Sequence, residues 1–198
     1  MTLLPLLLAG YLLGSIPFAI VSSRLFGLAD PRKYGSGNPG ATNVLRSGNK
    51  SAALMTLVGD CAKGWLAVWA AQRMGFEPTI AALAGLAAFL GHVFSVFLRF
   101  NGGKGVATAL GVLAGISGWI ALTALLVWLA VAFTTRYSSA AALAAAVATP
   151  IAGYLILGPT PTITVLLLIA GILIWRHSAN IRKLLDGTES KIGSRKKA

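Results

Sequence analysis

The chain has 198 residues, 56% of them hydrophobic and only 11% charged, with 23 glycines and a formal net charge of +12. An ordinary soluble domain carries about 25% charged residues, a disordered chain lacks this much apolar surface, and the single cysteine, Cys61, cannot found a disulfide scaffold. What remains is one all-α, polytopic integral membrane domain over 1–198, with room for about seven spans of roughly 20 residues and with cations that suit cytoplasmic loops better than nucleic-acid binding.

The first predicted span is Leu3 to Val21. A signal peptide would carry its cations ahead of the apolar run, whereas here Arg24 follows it. Ser51 to Gln72, interrupted by Asp60 and Lys63, and Ile80 to Leu98, interrupted by His92, come next. Val106 to Thr135 is a run of 30 uncharged residues. As one helix it would reach about 45 Å against a hydrocarbon core of about 30 Å, so a break is expected at Gly115-Ile116-Ser117-Gly118. The uncharged stretch from Tyr137 to Trp175 is divided at Gly158-Pro159-Thr160-Pro161, because proline lacks the amide hydrogen and disfavours helix before it. Seven spans with the N-terminus outside put 15 of the 17 Lys and Arg residues on one face, while six spans would split them. The positive-inside rule therefore predicts seven spans, a short fourth one from Gly105 to about Ile116, and cytoplasmic loops 1, 3 and 5 and C-terminus. Residues 187–198 read as a mobile basic tail.

Three polar clusters fall on that face. In Gly35 to Arg46, glycines 35, 37 and 40 let the backbone approach a ligand. Ser36, Asn38, Thr42 and Asn43 supply hydrogen bonds, and Arg46 a bidentate fork; the set suits a phosphate. In Asn101-Gly102-Gly103-Lys104-Gly105, successive amides, the start of the short helix and a lysine predict an anion nest without the spacing of a nucleotide-hydrolysing loop. In Arg176 to Lys183, read as one continuous helix, Arg176, Asn180 and Lys183 share a face with His177 beside Asn180; a snorkelling basic helix end is the alternative. Asp60 and Lys63, spaced i, i+3 inside a span, either pair with each other or face the polar site, and His92 is expected to be buried and hydrogen-bonded.

The acids are Asp30, Asp60, Glu77, Asp186 and Glu189, and they form no ligand pattern with His92 or His177, so neither a metal nor a cofactor is expected. Cys61 has no CxxC partner, which leaves a thiol nucleophile unsupported. A donor-rich inventory beside an apolar groove suits binding of phosphates and stabilisation of developing negative charge.

GSGNPGATNVLR at 35–46, GH at 91–92 followed by FNGGKGVATALG through Gly111, and RHSANIRKLLDGTES at 176–190 resemble, in order and over nearly the whole chain, the bacterial acyl-phosphate:glycerol-3-phosphate acyltransferases. The resemblance implies transfer of a fatty acyl group from acyl phosphate to the primary hydroxyl of sn-glycerol 3-phosphate, giving 1-acylglycerol 3-phosphate. It also implies seven spans in the bacterial inner membrane with a cytoplasmic active site. Carried over by motif position, Ser36, Arg46 and Lys104 bind phosphate, and His177 and Asn180 lie near the glycerol hydroxyls or the acyl carbonyl. Gly35, Gly37, Asn38, Gly40, Thr42, Asn43, Gly102, Gly103, Gly105, Lys63 and Arg176 complete the binding set. The proton acceptor is His177, His92 or the substrate phosphate. The implied partners are the two substrates and the bilayer, with the protein acting as a monomer and the source of acyl phosphate left open. The His-x4-Asp of acyl-thioester acyltransferases is absent, since the fifth residue after His92 is Phe97 and after His177 is Arg182, which disfavours acyl-CoA as donor. A transporter or channel for phosphorylated solutes is the alternative class.

Overall fold

The computed structural model describes residues 2–193, so the last five residues of the expected basic tail lie outside it. All regular structure among the described residues is helical: α1 (Leu3–Ser15), α2 (Phe18–Leu25), α3 (Ala41–Leu45), α4 (Lys50–Arg73), α5 (Pro78–Val93), α6 (Val106–Ile116), α7 (Gly118–Thr135), α8 (Ser138–Leu157), α9 (Thr162–Arg176) and α10 (Ser178–Leu185). Helices stand in each of the seven stretches expected from the sequence. Leu3–Leu25, Pro78–Leu98, α7 and α8 are long and apolar enough to cross a bilayer, and α9 with α10 qualifies as a bent pair. The chain groups into two compact units, Met1–Ile116 and Ser117–Ala198.

Three boundaries differ from expectation for identifiable reasons. The first helix runs past Val21 to Leu25 but is broken at Ile16-Pro17, because Pro17 has no N–H for the helical ladder and pushes Ile16 out of the helical region. The third ends at Val93 rather than Leu98, with a single 3₁₀ turn at Val96–Leu98. The long run breaks within the expected tetrapeptide, at Ser117, whose φ of −159° is extended.

In the first unit the helices meet along seams of small residues. A β-carbon on Gly14 would collide with the Ala88 carbonyl oxygen, and one on Gly111 with that of Cys61, so α1 lies on α5 and α4 on α6 at backbone distance. This replaces hydrophobic drive with dense van der Waals contact, the usual basis of helix association in lipid. The pairings Val68 with Gly85 and Asp60 with His92 make α4 and α5 antiparallel, while Val68 with Gly115 makes α4 and α6 run together. The loop entering α4 and the loop entering α6 therefore lie at one end of the unit. The start of α1 lies at the other, since Gly10 meets Ala84 and Gly14 meets Ala88.

In the second unit, α8 packs between α7 and α9. Its alanines make this possible, with Ala141, Ala142, Ala145 and Ala146 buried.

Candidate functional site

The loop entering α4 is built around Asn43, which is 2% exposed. Its carboxamide donates to the Pro31 carbonyl at 2.7 Å and the Tyr34 carbonyl at 3.2 Å, and accepts from the Ser36 amide at 2.9 Å. Gly35 takes φ +60°, and a β-carbon there would collide with the Asn43 oxygen, so both its backbone and the space beside it require glycine. The Ser36 hydroxyl accepts from the Asn38 amide at 3.4 Å. Asn43, expected to touch a ligand, is thus committed to the loop, and what it presents outward is Ser36, Gly37 and Arg46, all exposed, with Asn38, Gly40 and Thr42 half-buried. At the start of the loop Asp30 caps the Pro31–Lys33 turn. The Arg32 guanidinium, 2.6 Å away, holds its carboxyl down at about 2.

The second cluster departs from the expected nest. The Gly102 amide donates to the Val93 carbonyl and the Gly103 amide to the His92 carbonyl, each at 3.1 Å. The last carbonyls of a helix have no partner within it, and these two amides supply partners for those of His92 and Val93 at the end of α5. They do not point outward to an anion. Lys104 follows them, half-buried, two residues before α6, and Gly105 is buried against the Phe89 ring.

Beneath this strand lie three side chains that the sequence left open. The Lys63 ammonium pairs with Asp60 at 2.9 Å and donates to the Ile16 carbonyl at 2.7 Å, and His92 Nδ1 lies 3.4 Å from the same Asp60 oxygen. Lys63 is 1% exposed. Of the two alternatives for it, pairing holds, and Lys63 sits inside the unit rather than among outward phosphate donors. The i, i+3 spacing announced Asp60–Lys63; nothing local announced His92 as the third member.

The third cluster belongs to the second unit and is bent, not continuous. The helix breaks at His177, and α10 leaves α9 at 56°, so the face expected for Arg176, Asn180 and Lys183 on one straight helix does not form. His177 is buried, with Nδ1 2.8 Å from the Leu173 carbonyl. A carbonyl can only accept, so Nδ1 carries a proton toward it. The Asn180 amide donates to Glu189 at 2.8 Å, and the Ser139 hydroxyl meets the same oxygen at 2.8 Å. Glu189 and Ser139 were not among the candidates read from sequence. Arg176 is half-buried, its guanidinium 5.7 Å from the Trp175 ring centre. Ile192 exchanges two hydrogen bonds with Arg136, so the chain beyond Gly187 is held as far as Ile192. Among the described residues no group of three His, Cys, Asp or Glu is placed to hold a metal ion.

Comparison with known proteins converges on one family. Its profile, described as Glycerol-3-phosphate acyltransferase, matches residues 4–187. A glycerol-3-phosphate acyltransferase of Aromatoleum aromaticum is 79% identical over 99% of this chain and 100% of its own. That of Laribacter hongkongensis is 58% identical over the full length of both. Among solved structures, PlsY (YgiH), an integral membrane glycerol 3-phosphate acyltransferase, superposes in its glycerol 3-phosphate form with a TM-score of 0.91 at 38% identity. That match covers 98% of this chain and 96% of the other. The lysophosphatidic acid form of the same protein gives 0.89 at 37% identity, with the same coverage.

Proposed function

The chain belongs to the glycerol-3-phosphate acyltransferase family, and we propose that it transfers a fatty acyl group from acyl phosphate to the sn-1 hydroxyl of sn-glycerol 3-phosphate. The family makes it an acyltransferase of phospholipid synthesis and an integral membrane protein. The observation that carries the substrate assignment is the full-length likeness to a structure held in a glycerol 3-phosphate form and a lysophosphatidic acid form, which are acceptor and product of this reaction. Acyl phosphate as donor is supported by the missing His-x4-Asp and by the abundance of cations over carboxylates. Solute transport is not favoured, because relatives matched over the full length carry acyltransferase names.

In the step itself, the sn-1 oxygen attacks the acyl carbonyl, the bond from that carbon to the phosphate oxygen breaks, and phosphate leaves with the electron pair. The hydroxyl proton passes to the departing phosphate, whose oxygens gain negative charge, and so basicity, as the bond breaks. Ser36, the Gly37 amide, Arg46 and Lys104 bind phosphate oxygens, the cations offsetting charge that grows on the leaving group. Asn43 and Gly35 hold that loop in shape. His177 orients the acceptor through Nε2 while Nδ1 stays on the Leu173 carbonyl, and Asn180, braced by Glu189, holds the glycerol hydroxyl or the acyl carbonyl. No acyl-enzyme at Ser36 is invoked.

Seven spans with the N-terminus outside, the C-terminus in the cytoplasm and the reaction at the cytoplasmic face of the inner membrane follow from the distribution of cations. The protein acts as a monomer. Purified protein in detergent, given palmitoyl phosphate and labelled glycerol 3-phosphate with palmitoyl-CoA as a parallel donor, tests the reading. Lysophosphatidate from acyl phosphate alone is expected; product at a comparable rate from palmitoyl-CoA overturns the donor assignment, and product from neither overturns the function.

A further inference from the structure

Burying a carboxylate and an ammonium inside a helical unit contributes little net stability, since desolvation offsets their attraction and an apolar pair of equal volume is often as good. Asp60 and Lys63 are 2% and 1% exposed and His92 is 7% exposed, so the first unit carries three expensive side chains at its centre. Their connections run in one direction. Lys63 is anchored on the Ile16 carbonyl, at the break made by Pro17. It holds Asp60, and Asp60 stands beside His92 Nδ1. The other edge of the imidazole, Nε2, lies directly under Gly103, where any β-carbon would collide with it, and the His92 carbonyl receives the Gly103 amide. The next residue is Lys104.

We propose that Asp60, Lys63 and His92 form a positioning cluster for Lys104: the Pro17 break fixes Lys63, the carboxylate orients the imidazole, and the imidazole is the platform on which the Gly102–Gly103 strand lies. His92 then acts through the strand above it and not as a proton acceptor toward substrate. The inference rests on the proposed role of Lys104 in phosphate binding, and it gives the buried charges a task that stability does not supply.

The test pairs Asp60→Asn and His92→Gln with two readouts in detergent: kcat and KM for palmitoyl phosphate, and hydrogen exchange of the peptide covering 100–106 against those covering α1 and α4. Both variants are expected to lower kcat/KM by about 10- to 100-fold, mainly through KM, the loss seen when the partner orienting a ligand group is removed. Faster exchange is expected in 100–106 over and above any change in α1 and α4; the melting temperature should fall for Asp60→Asn, which leaves the Lys63 ammonium without its counter-ion, and stay unchanged for His92→Gln, which keeps the pair. Folded variants with wild-type kinetics and wild-type exchange in 100–106 overturn the proposal, as does exchange that rises equally across α1 and α4. If either variant fails to fold, Gly103→Ala disturbs the platform from above with all three side chains in place; a tenfold loss of kcat/KM supports the proposal and wild-type turnover overturns it. Absence of lysophosphatidate from the wild type would instead count against the proposed function, with the exchange pattern still deciding the cluster's role.

Discussion

Replacing Asn43 by alanine removes three hydrogen bonds in one step: two donated to the Pro31 and Tyr34 carbonyls and one accepted from the Ser36 amide. At about 1 kcal/mol net for each, the loop ahead of α4 loses about 3 kcal/mol of local stability. Helix packing is spared, because the carboxamide touches only loop backbone in these bonds. With about 1.4 kcal/mol for each factor of ten, the opening equilibrium of residues 31–46 shifts by about 100-fold. Hydrogen exchange of that peptide, followed by mass spectrometry in detergent, should accelerate by that factor while exchange in α4 and α5 stays at wild-type rates. Gly35→Ala should reproduce the pattern from the other side, since its β-carbon displaces the same carboxamide and its φ of +60° strains any other residue. Because Ser36 and Arg46 are carried by this loop, KM for the phosphate substrates should rise with the exchange rate. Wild-type exchange over 31–46 in folded Asn43→Ala protein would mean that the carboxamide does not hold the loop.

Four further outcomes are expected. Arg46→Ala and Lys104→Ala should each lower kcat/KM by about 10- to 100-fold, the equivalent of one or two charge-assisted hydrogen bonds at about 1.5–3 kcal/mol, measured at subsaturating acyl phosphate. Gly111→Ala should lower the melting temperature in detergent, because its β-carbon runs into the Cys61 backbone and overpacking costs about 1–3 kcal/mol; Gly171→Ala in α9, with nothing within 4 Å, should not. Glu189→Ala should cut kcat about tenfold by releasing Asn180, while Glu189→Gln, which keeps the acceptor oxygen, should retain most activity. The Asp30 carboxyl is held at about 2, below its unfolded value, so its contact with Arg32 contributes in full above about pH 4 and is lost only as pH falls through 2. Exchange in 30–34 should therefore be insensitive to Asp30 titration between pH 5 and 9.

The apolar runs made the long helices legible in the sequence, because a bilayer tolerates few arrangements of 20 uncharged residues, whereas the short α3 inside the polar first loop had no such signal. Two breaks were missed within those runs. Pro17 was itself the signal for one, while the bend at His177 carries only the weak hint of Ser178 as a helix starter. The donors of the first loop were visible, but not which of them face inward: Asn43 and Ser36 are chemically similar candidates, and only the fold commits the one and presents the other. The amides of Gly102 and Gly103 illustrate the same limit, since an anion and a helix C-terminus ask for the same donors and sequence spacing cannot tell them apart. Asp60 and Lys63 declared themselves by being one helical turn apart, whereas the meeting of Asp60 with His92 depends on how α4 and α5 pair.

The placement of His92 sets an order on the making of the protein. On the seven-span reading, α4 leaves the ribosome with a carboxylate and an ammonium at mid-helix. Each costs about 2.5–3.5 kcal/mol at a bilayer centre when left without company. Ile16, already synthesised, can receive Lys63 at once, but the imidazole beside Asp60 arrives only with the end of α5. The hairpin of α4 and α5 is thus the smallest stretch of nascent chain in which Asp60 has both its neighbours. A chain halted before residue 92 would have Lys63 beside Asp60 but not the imidazole that completes the cluster.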